Sequence, residues 1–301
     1  MEITGVGYIG LESIDAKSWE EYATDLLGME LNTSRDDGAV YLRMDDRHHR
    51  IAVRAGETNR LAYIGWELAD HFAFEDGLKA LSDAGLDPQV GDSEMEELRG
   101  VHGVASYTDP GGLPNEIFYG QYFNPGSFRA GRRHAGFLAG DKGLGHVVTV
   151  VPELSPELQH YCRDVMEFDW FGHGLRKGFI EFYRGNRNPE SHNVGFAAAP
   201  GVRGLQHIGI YCNELDDVGI AYDMVQERGL PISRTLGRHA QDPVVSFYSY
   251  APDGLEVEYI WNDGNAYFPH DTFLEQRAEV LSVWGHKEVD ARRSTYLNAA
   301  E

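Results

Sequence analysis

The chain has 301 residues, of which 42% are hydrophobic and 25% charged, and a formal net charge of −22. This composition is ordinary for a globular protein, and the length favours about two domains. Nucleic acids and anionic membranes are disfavoured as partners, because both are polyanions that so negative a surface would repel.

Four short apolar runs, bounded by glycine or turn residues, predict β-strands and resemble one another in pairs. In chain order they are residues 5–11, 60–66, 143–149 and 204–210. The first run aligns with the third, and the second with the fourth. Two later segments, residues 109–116 and 251–258, align without a gap. The unit recurs about every 50 to 60 residues, which indicates one supersecondary structure repeated four times.

Helical patterns follow each of these strands and form two pairs. They are residues 18–27 and 156–166 in the first pair, and 74–84 and 216–228 in the second. The second pair ends before Gly85 and Gly229, and glycine is a common helix stop. The repeated unit is therefore a strand, a helix and then several strands.

The segment 124–133 is rich in Gly, Pro and Arg and predicts an interdomain linker. We therefore expect one domain at residues 1–133 and a second at residues 134–287. Residues 288–301 are charged or small, so we expect a loosely held tail there.

A long gapped motif lies near the C-terminal end of the second repeat. Its residues are Gly237-Arg238-His239, Phe247-Tyr248, Ala251-Pro252, Gly254 and Glu258. This motif resembles the signature of extradiol ring-cleavage dioxygenases, whose final Glu is a ligand of catalytic iron. With the repeat, it resembles the vicinal-oxygen-chelate superfamily. The resemblance implies an α+β fold of four βαβββ modules, paired into two similar open-barrel domains.

The repeat selects metal ligands that the strand pattern alone leaves open. Glu256 and Glu258 share one strand face by alternation, but the gapless alignment places Glu116 over Glu258. The two other matching positions hold His146 and His207. Two imidazoles and one carboxylate suit a divalent first-row metal, with Fe(II) the usual choice and Mn(II) an alternative. Three protein ligands leave coordination positions for substrate and dioxygen.

The first half carries Tyr8, Tyr63 and Glu116 at the matching positions. Because both imidazoles are lost, we expect no metal there and interpret the N-terminal domain as a structural copy.

The resemblance also implies catalytic roles for four residues. His192 matches an acid–base histidine, His239 and Tyr248 match residues that hydrogen-bond substrate oxygen, and Asp242 matches a supporting aspartate. Ordinary alternatives are an exposed loop for His192, a strand aromatic for Tyr248 and a turn residue for Asp242.

Two further positions relate to the pocket for dioxygen. Val148 resembles the family's oxygen-pocket valine, with core packing as the alternative. Gly195 stands where some relatives have alanine, which would loosen that pocket. His48 and His49 match no assigned position, and their charged surroundings predict a surface location.

The resemblance implies an Fe(II)-dependent enzyme that cleaves a catechol with O2 in aromatic degradation. Biphenyl-2,3-diol is the preferred substrate, with catechol and alkylcatechols as close alternatives. Glyoxalase-like isomerisation is another function of this superfamily, but the motif around His239 and Tyr248 has no evident role there. A non-enzymatic binding or sequestration protein would not need three placed ligands.

The cellular setting is also predicted. Cys162 and Cys212 form no disulfide framework, so a reducing cytoplasm fits best. We expect neither a secretory signal nor a membrane span. Relatives often assemble, so we expect a homo-oligomer.

Overall fold

The computed structural model describes residues 1–35, 37–174, 178–185, 192–240, 242, 244–262, 276–278 and 280–300, with the backbone alone at 276–278. Within these ranges, every helix is too short or too polar to cross a membrane.

The first half of the chain forms an eight-stranded sheet. Its strands are β1 Ile3–Ser13, β2 Glu30–Asn32, β3 Val40–Arg43, β4 Ile51–Ala55, β5 Arg60–Leu68, β6 Gln89–Val90, β7 Gly103–Thr108 and β8 Pro114–Tyr119. Their order in the sheet is β2-β3-β4-β1-β5-β8-β7-β6.

The second half forms an eleven-stranded sheet from the described residues. Its strands are β9 His146–Val151, β10 Asp169–Gly174, β11 Ile180–Arg184, β12 Val194–Ala198, β13 Val202–Cys212, β14 Ile232–His239, β15 Val245–Tyr250, β16 Glu256–Trp261, β17 Gln276–Ala278, β18 Ser282–Trp284 and β19 Leu297–Ala299. Their order is β17-β10-β11-β12-β9-β13-β16-β15-β14-β18, and β19 pairs with β13.

Helices follow the first strand of each unit, as predicted. They are α1 Ser18–Glu21, α2 His71–Asp83, α3 Ser93–Arg99, α4 Pro156–His160 and α5 Leu215–Glu227, with π-helical turns at Tyr22–Leu27 and Tyr161–Val165 after α1 and α4, and a 3-10 turn at Gly140–Lys142. Side chains of Asp70 and Ser155 cap α2 and α4 by accepting backbone N–H groups. The short α3 was not predicted.

The strand orders confirm four βαβββ modules arranged as two open sheets. In each module the first strand lies parallel to the last, as β1 does to β4 and β9 to β12. Two modules then join through their first strands, which run antiparallel, β1 with β5 and β9 with β13. The inner faces of these central strands bring side chains from distant sequence positions together.

The helix of each half packs against the other half. The indole Nε1 of Trp19 in α1 donates to Asp253, at 2.6 Å. The hydroxyl of Tyr161, which follows α4, lies 2.7 Å from that of Tyr107 in β7. The two sheets therefore share one continuous apolar core around these helices.

Residues 294–300 are anchored to the second sheet and are not the loosely held tail that was expected, although most of residues 288–293 are exposed. Strand β19 pairs antiparallel with β13. Tyr296 is completely buried, and its hydroxyl donates to Asp253 at 2.6 Å. The Ser294 hydroxyl donates to the Leu205 carbonyl at 2.8 Å. The buried ring of Tyr296 therefore anchors this segment to the core.

In the first sheet, Glu116, which matches the predicted metal ligand Glu258, belongs to a buried ion pair. Arg99, the last residue of α3, donates to both carboxylate oxygens of Glu116, with its Nη2 at 2.7 Å. The Tyr8 hydroxyl donates to the same carboxylate at 2.9 Å. The guanidinium carbon lies 3.7 Å from the ring centre of Tyr63. A cationic side chain of the protein itself therefore neutralises Glu116.

His48 and His49 are buried, and the prediction of a surface location is wrong. Their Nδ1 atoms lie 2.9 Å apart, and the His49 ring stacks on Tyr8. Burial lowers the pKa of His48 to about 4 and that of His49 well below its ordinary value. Both rings are therefore neutral near pH 7, which lets them pack inside the sheet.

We expect Tyr296→Ala to destabilise the protein by about 3–5 kcal/mol, because it removes a buried ring and leaves a cavity. The free energy of unfolding, measured by urea denaturation, tests this. Val289→Ala, at an exposed position in the same segment, is the control and should change it by less than about 0.5 kcal/mol. Equal effects of the two variants would mean that the segment is not docked.

We expect Arg99→Met to destabilise the protein by on the order of 3 kcal/mol, because Glu116 would stay buried without its partner. Adding Glu116→Gln should restore at least half of the loss. The matched control is Arg60→Met, since Arg60 and Glu12 form a more exposed pair worth about 0–1 kcal/mol. Denaturant unfolding measures all three variants, and no recovery in the double variant would contradict the ion-pair interpretation.

Candidate metal centre

Three neighbouring strands bring the predicted ligands to one point. His146 is the first residue of β9, His207 lies in the adjacent β13, and Glu258 lies in β16 beside β13. His146 Nε2 lies 3.3 Å from His207 Nε2 and 3.2 Å from Glu258 Oε2. His207 Nε2 lies 3.5 Å from the same oxygen. All three side chains are buried.

A glycine makes this approach sterically possible. Gly209 lies opposite His146 across one strand pair and beside Glu258 across the other. A Cβ at this position would lie 2.2 Å from the His146 ring, so any other residue would displace the imidazole.

The arrangement fits a divalent metal ion. Among the described residues, these three form the group whose ligand atoms all lie within 4.8 Å of one another. Burial lowers the pKa of His146, so its imidazole is neutral and has a lone pair to offer. Two imidazoles and one carboxylate are the donor set of the facial triad of non-haem iron enzymes.

Glu258 is held as an anion although it is buried. Burial alone would raise its pKa, but hydrogen bonds from His146, His207 and His239 hold the pKa well below its ordinary value. Its two oxygens have different surroundings. Oε2 faces the two imidazoles, whereas Oε1 accepts from Ser246 Oγ at 2.7 Å and lies 3.1 Å from His239 Nε2. One oxygen is therefore left for a metal.

The structure places Glu258, and not Glu256, among the imidazoles. Glu256 accepts hydrogen bonds from the Ser233 hydroxyl and, at 2.8 Å, from Gln206 Nε2. Its Oε2 lies 3.9 Å from Nδ1 of His207, on the side of that ring away from the ligand cluster. Glu256 therefore lies outside the ligand cluster, on the Nδ1 side of the His207 ring.

His239 and Tyr248 form one edge of the cluster. His239 Nε2 lies 2.9 Å from the Tyr248 hydroxyl, and Tyr248 lies directly opposite Glu258 between β15 and β16. Burial would lower the pKa of His239, but the Glu258 carboxylate raises it overall. Burial and then Glu258 raise the pKa of Tyr248 well above its ordinary value. This edge therefore offers hydrogen-bond donors.

His192 and Asp242 form another edge. The His192 ring centre lies 4.4 Å from that of His146 and 4.7 Å from that of Phe182. Burial lowers the pKa of His192 well below its ordinary value. Asp242 Oδ2 lies 3.7 Å from His192 Nδ1. His192 is thus a buried, neutral imidazole beside the ligand cluster and is not an exposed loop residue.

A cavity of about 350 Å³ opens beside the cluster, and all the sequence-predicted site residues except Gly195 line it. Val148 lies on the wall. A Cβ at Gly195 would meet the Phe182 ring at 3.0 Å and Val148 Cγ2 at 3.1 Å. Gly195 therefore leaves room for the Phe182 and Val148 side chains, and its effect on the oxygen pocket stays a prediction.

Several residues near the site were missed by the sequence reasoning. The Tyr211 hydroxyl lies 3.1 Å from His146 Nδ1, and Arg234 lies over the Tyr248 ring. Ser246 contacts Glu258, and His286 contacts Ser246. One signal was available in the sequence, because residues 282–286, which end in His286, resemble the C-terminal end of extradiol dioxygenases, but the pattern assigned His286 no role.

Comparisons with known proteins agree with this geometry. The family model for dihydroxybiphenyl dioxygenase BphC D1 matches residues 6–56. The model for the Glyoxalase/Bleomycin resistance protein/Dioxygenase superfamily matches residues 129–259. Each half of the chain is therefore matched by a model that names dioxygenases.

Full-length relatives extend these matches. The biphenyl-2,3-diol 1,2-dioxygenase of Metapseudomonas furukawaii is 37% identical, covering 96% of this chain and 95% of its own. The 1,2-dihydroxynaphthalene dioxygenase of Sphingobium xenophagum is 35% identical, covering 94% of this chain and 95% of its own. The crystal structure of BphC, a halotolerant catechol dioxygenase, has a TM-score of 0.88 at 33% identity, covering 95% of both chains.

Identity above 30% over nearly the whole chain accompanies the same repeated modules and a buried His-His-Glu cluster. The resemblance predicted from the sequence is thereby confirmed. The chain belongs to the two-domain extradiol ring-cleavage dioxygenases of the vicinal-oxygen-chelate superfamily.

Proposed function

We propose that the protein uses Fe(II), held by His146, His207 and Glu258, to cleave a catechol with O2 next to its hydroxyl pair. The observation that carries this proposal is the convergence of three buried ligand atoms, 3.2 to 3.5 Å apart, at an apolar cavity. Mn(II) is the alternative ion, because the same donor set suits it.

When bound, the ion supplies coordination positions for catechol and dioxygen and a path for electrons between them. The protein supplies the ligand cluster on one side only. The cavity on the other side gives both reactants access to the open positions.

In this proposal His192 accepts and returns the catechol proton. A catechol must lose a proton to chelate a metal, and a neutral imidazole can take it. His192 lies beside the His146 ligand, lines the cavity and has Asp242 at 3.7 Å, which can orient the ring.

His239 and Tyr248 are proposed to bind a substrate oxygen. Both side chains line the cavity. They lie within hydrogen-bond distance of each other, on the side of the cluster that holds Glu258. Donors fixed in this way stabilise negative charge that develops on the substrate during ring opening. Val148, on the wall beside His146, would pack against the space that dioxygen enters.

The cavity supports a substrate with a second apolar group. His146, Val148 and Val150 all line it, and the four residue steps from His146 to Val150 along the strand span about 13 Å. Ala197, which lies opposite Val150 between β12 and β9, and Leu297 are among the apolar residues of the lining. Biphenyl-2,3-diol is therefore the preferred substrate, with catechol and alkylcatechols as the smaller alternatives.

The proposal includes a cytoplasmic setting and a homo-oligomer. Both cysteines are buried and free, which agrees with a reducing compartment. Sedimentation would give the number of chains in the assembly.

The proposal also keeps the domain division near residue 133. This boundary lies where the chain passes from one sheet to the other, since β8 ends at Tyr119 and β9 begins at His146.

We expect protein purified anaerobically and loaded with Fe(II) to consume O2 and give a yellow product with 2,3-dihydroxybiphenyl. The specificity constant should exceed that for catechol, because the apolar wall contacts only the larger substrate. His146→Ala should retain no iron and show no oxygen uptake, because it removes a ligand. Absence of oxygen uptake by the unchanged, iron-loaded protein with every catechol tried would exclude this function.

We expect His192→Phe to keep iron and catechol binding but to slow turnover by about 10²–10⁴-fold, the usual scale for an acid–base residue. Anaerobic catechol titration and steady-state oxygen uptake separate the two effects. His160→Phe, at an exposed histidine of α4, is the control and should turn over normally. Normal turnover by His192→Phe would assign the proton transfer to another group.

A further inference from the structure

A series of hydrogen bonds continues outward from Oε1 of Glu258, the carboxylate oxygen that faces away from His146 and His207. Ser246 Oγ donates to Glu258 Oε1 at 2.7 Å. His286 Nε2 lies 3.1 Å from Ser246 Oγ and 3.0 Å from the Ser246 carbonyl. The Ser282 hydroxyl lies 2.7 Å from His286 Nδ1. The assigned catalytic roles do not use Ser246, His286 or Ser282.

Each bond in this chain has one consistent direction. The ionised carboxylate of Glu258 can only accept, so the Ser246 hydroxyl donates to it. His286 Nε2–H then donates to the Ser246 oxygens, and its Nδ1 accepts from Ser282. Burial, and next the charge of His239, lowers the pKa of His286 to about 4, which agrees with a neutral ring. The polar atoms that link Glu258, Ser246, His286 and Ser282 therefore all have partners.

The backbone is shaped to bring His286 into this position. His286 has a φ of 46°, in the left-handed region that non-glycine residues rarely adopt. A Cβ at Gly237 would lie 2.4 Å from the His286 backbone nitrogen, so only glycine admits this approach. Gly237 of the motif thus has a steric role in admitting the backbone of His286.

His286 also packs against a proposed substrate-binding residue. Its ring centre lies 4.3 Å from that of His239. The Leu281 carbonyl, from the same segment, lies 3.1 Å from His239 Nδ1. Residues 281–286 therefore contact both His239 and the hydrogen-bond chain to Glu258.

We propose that Ser246 and His286 are positioning residues, which fix Glu258 with Oε2 toward the metal and so raise metal affinity. The inference rests on the proposed metal function of His146, His207 and Glu258. Its physical basis is that hydrogen bonds to the second oxygen restrict carboxylate rotation. Outer-shell partners of metal ligands commonly control affinity in this way.

The test is the apparent dissociation constant for Fe(II), measured anaerobically against a competing chelator. We expect Ser246→Ala to raise it by about 10–100-fold, the usual effect of removing such a partner. His286→Met, which keeps bulk but loses the N–H donor, should act similarly. His286→Gln keeps an N–H donor and should restore the constant to within about threefold of the unchanged protein.

Ser249→Ala is the matched control. Ser249 is equally buried on the same strand β15, but its hydroxyl is near Tyr22 on the other face, away from Glu258. We expect its Fe(II) dissociation constant to stay within about twofold of the unchanged protein. Melting temperatures of all variants show whether each is folded, and if His286→Met does not fold, Ser246→Ala decides the result.

The inference is wrong if folded Ser246→Ala binds Fe(II) as tightly as Ser249→Ala, or if His286→Gln binds as weakly as His286→Met. Because the readout is metal affinity, failure of the proposed function appears differently. An unchanged protein that binds Fe(II) tightly but consumes no O2 with catechols would refute ring cleavage and leave the positioning result valid.

Discussion

The site depends on keeping one carboxylate ionised inside a sheet. Glu258 is buried, and a buried charge is costly unless it is paired and hydrogen-bonded. Two imidazoles face one of its oxygens, and Ser246 with His239 satisfies the other. The strands that carry these residues are adjacent, so the fold itself brings the partners together.

The two halves of the chain meet the same requirement in different ways. Glu116 occupies the position in the first sheet that Glu258 occupies in the second, each beside a glycine of the central strand. In the first half Arg99 supplies the positive charge permanently, with Tyr8 as an added donor. In the second half two imidazoles face the carboxylate, and the proposed metal ion would supply the positive charge. A duplicated fold can therefore keep one copy for stability and the other for chemistry.

The C-terminal part of the chain completes both the core and the pocket. Tyr296 ties β19 to the region around Asp253, and Leu297 from the same strand lines the cavity. Residues 281–286 contact His239 and reach Glu258 through Ser246. Truncation in this region would therefore affect the active site as well as folding stability.

The sequence by itself determined the repeated modules, the helix after the first strand of each module, and the choice of His146, His207 and Glu258 as candidate metal ligands. Strand and helix periodicity are local, and a fourfold repeat aligns residues far apart in the chain. Tertiary structure decided which polar residues are buried. His48 and His49 lie in a charged run, yet the fold buries them, and Tyr296 lies in a short polar tail, yet it fills the core. Arg99, Ser246 and His286 gain their roles only from strands and helices that fold next to them. Contacts across a sheet join residues without any spacing rule, so local patterns do not reveal them.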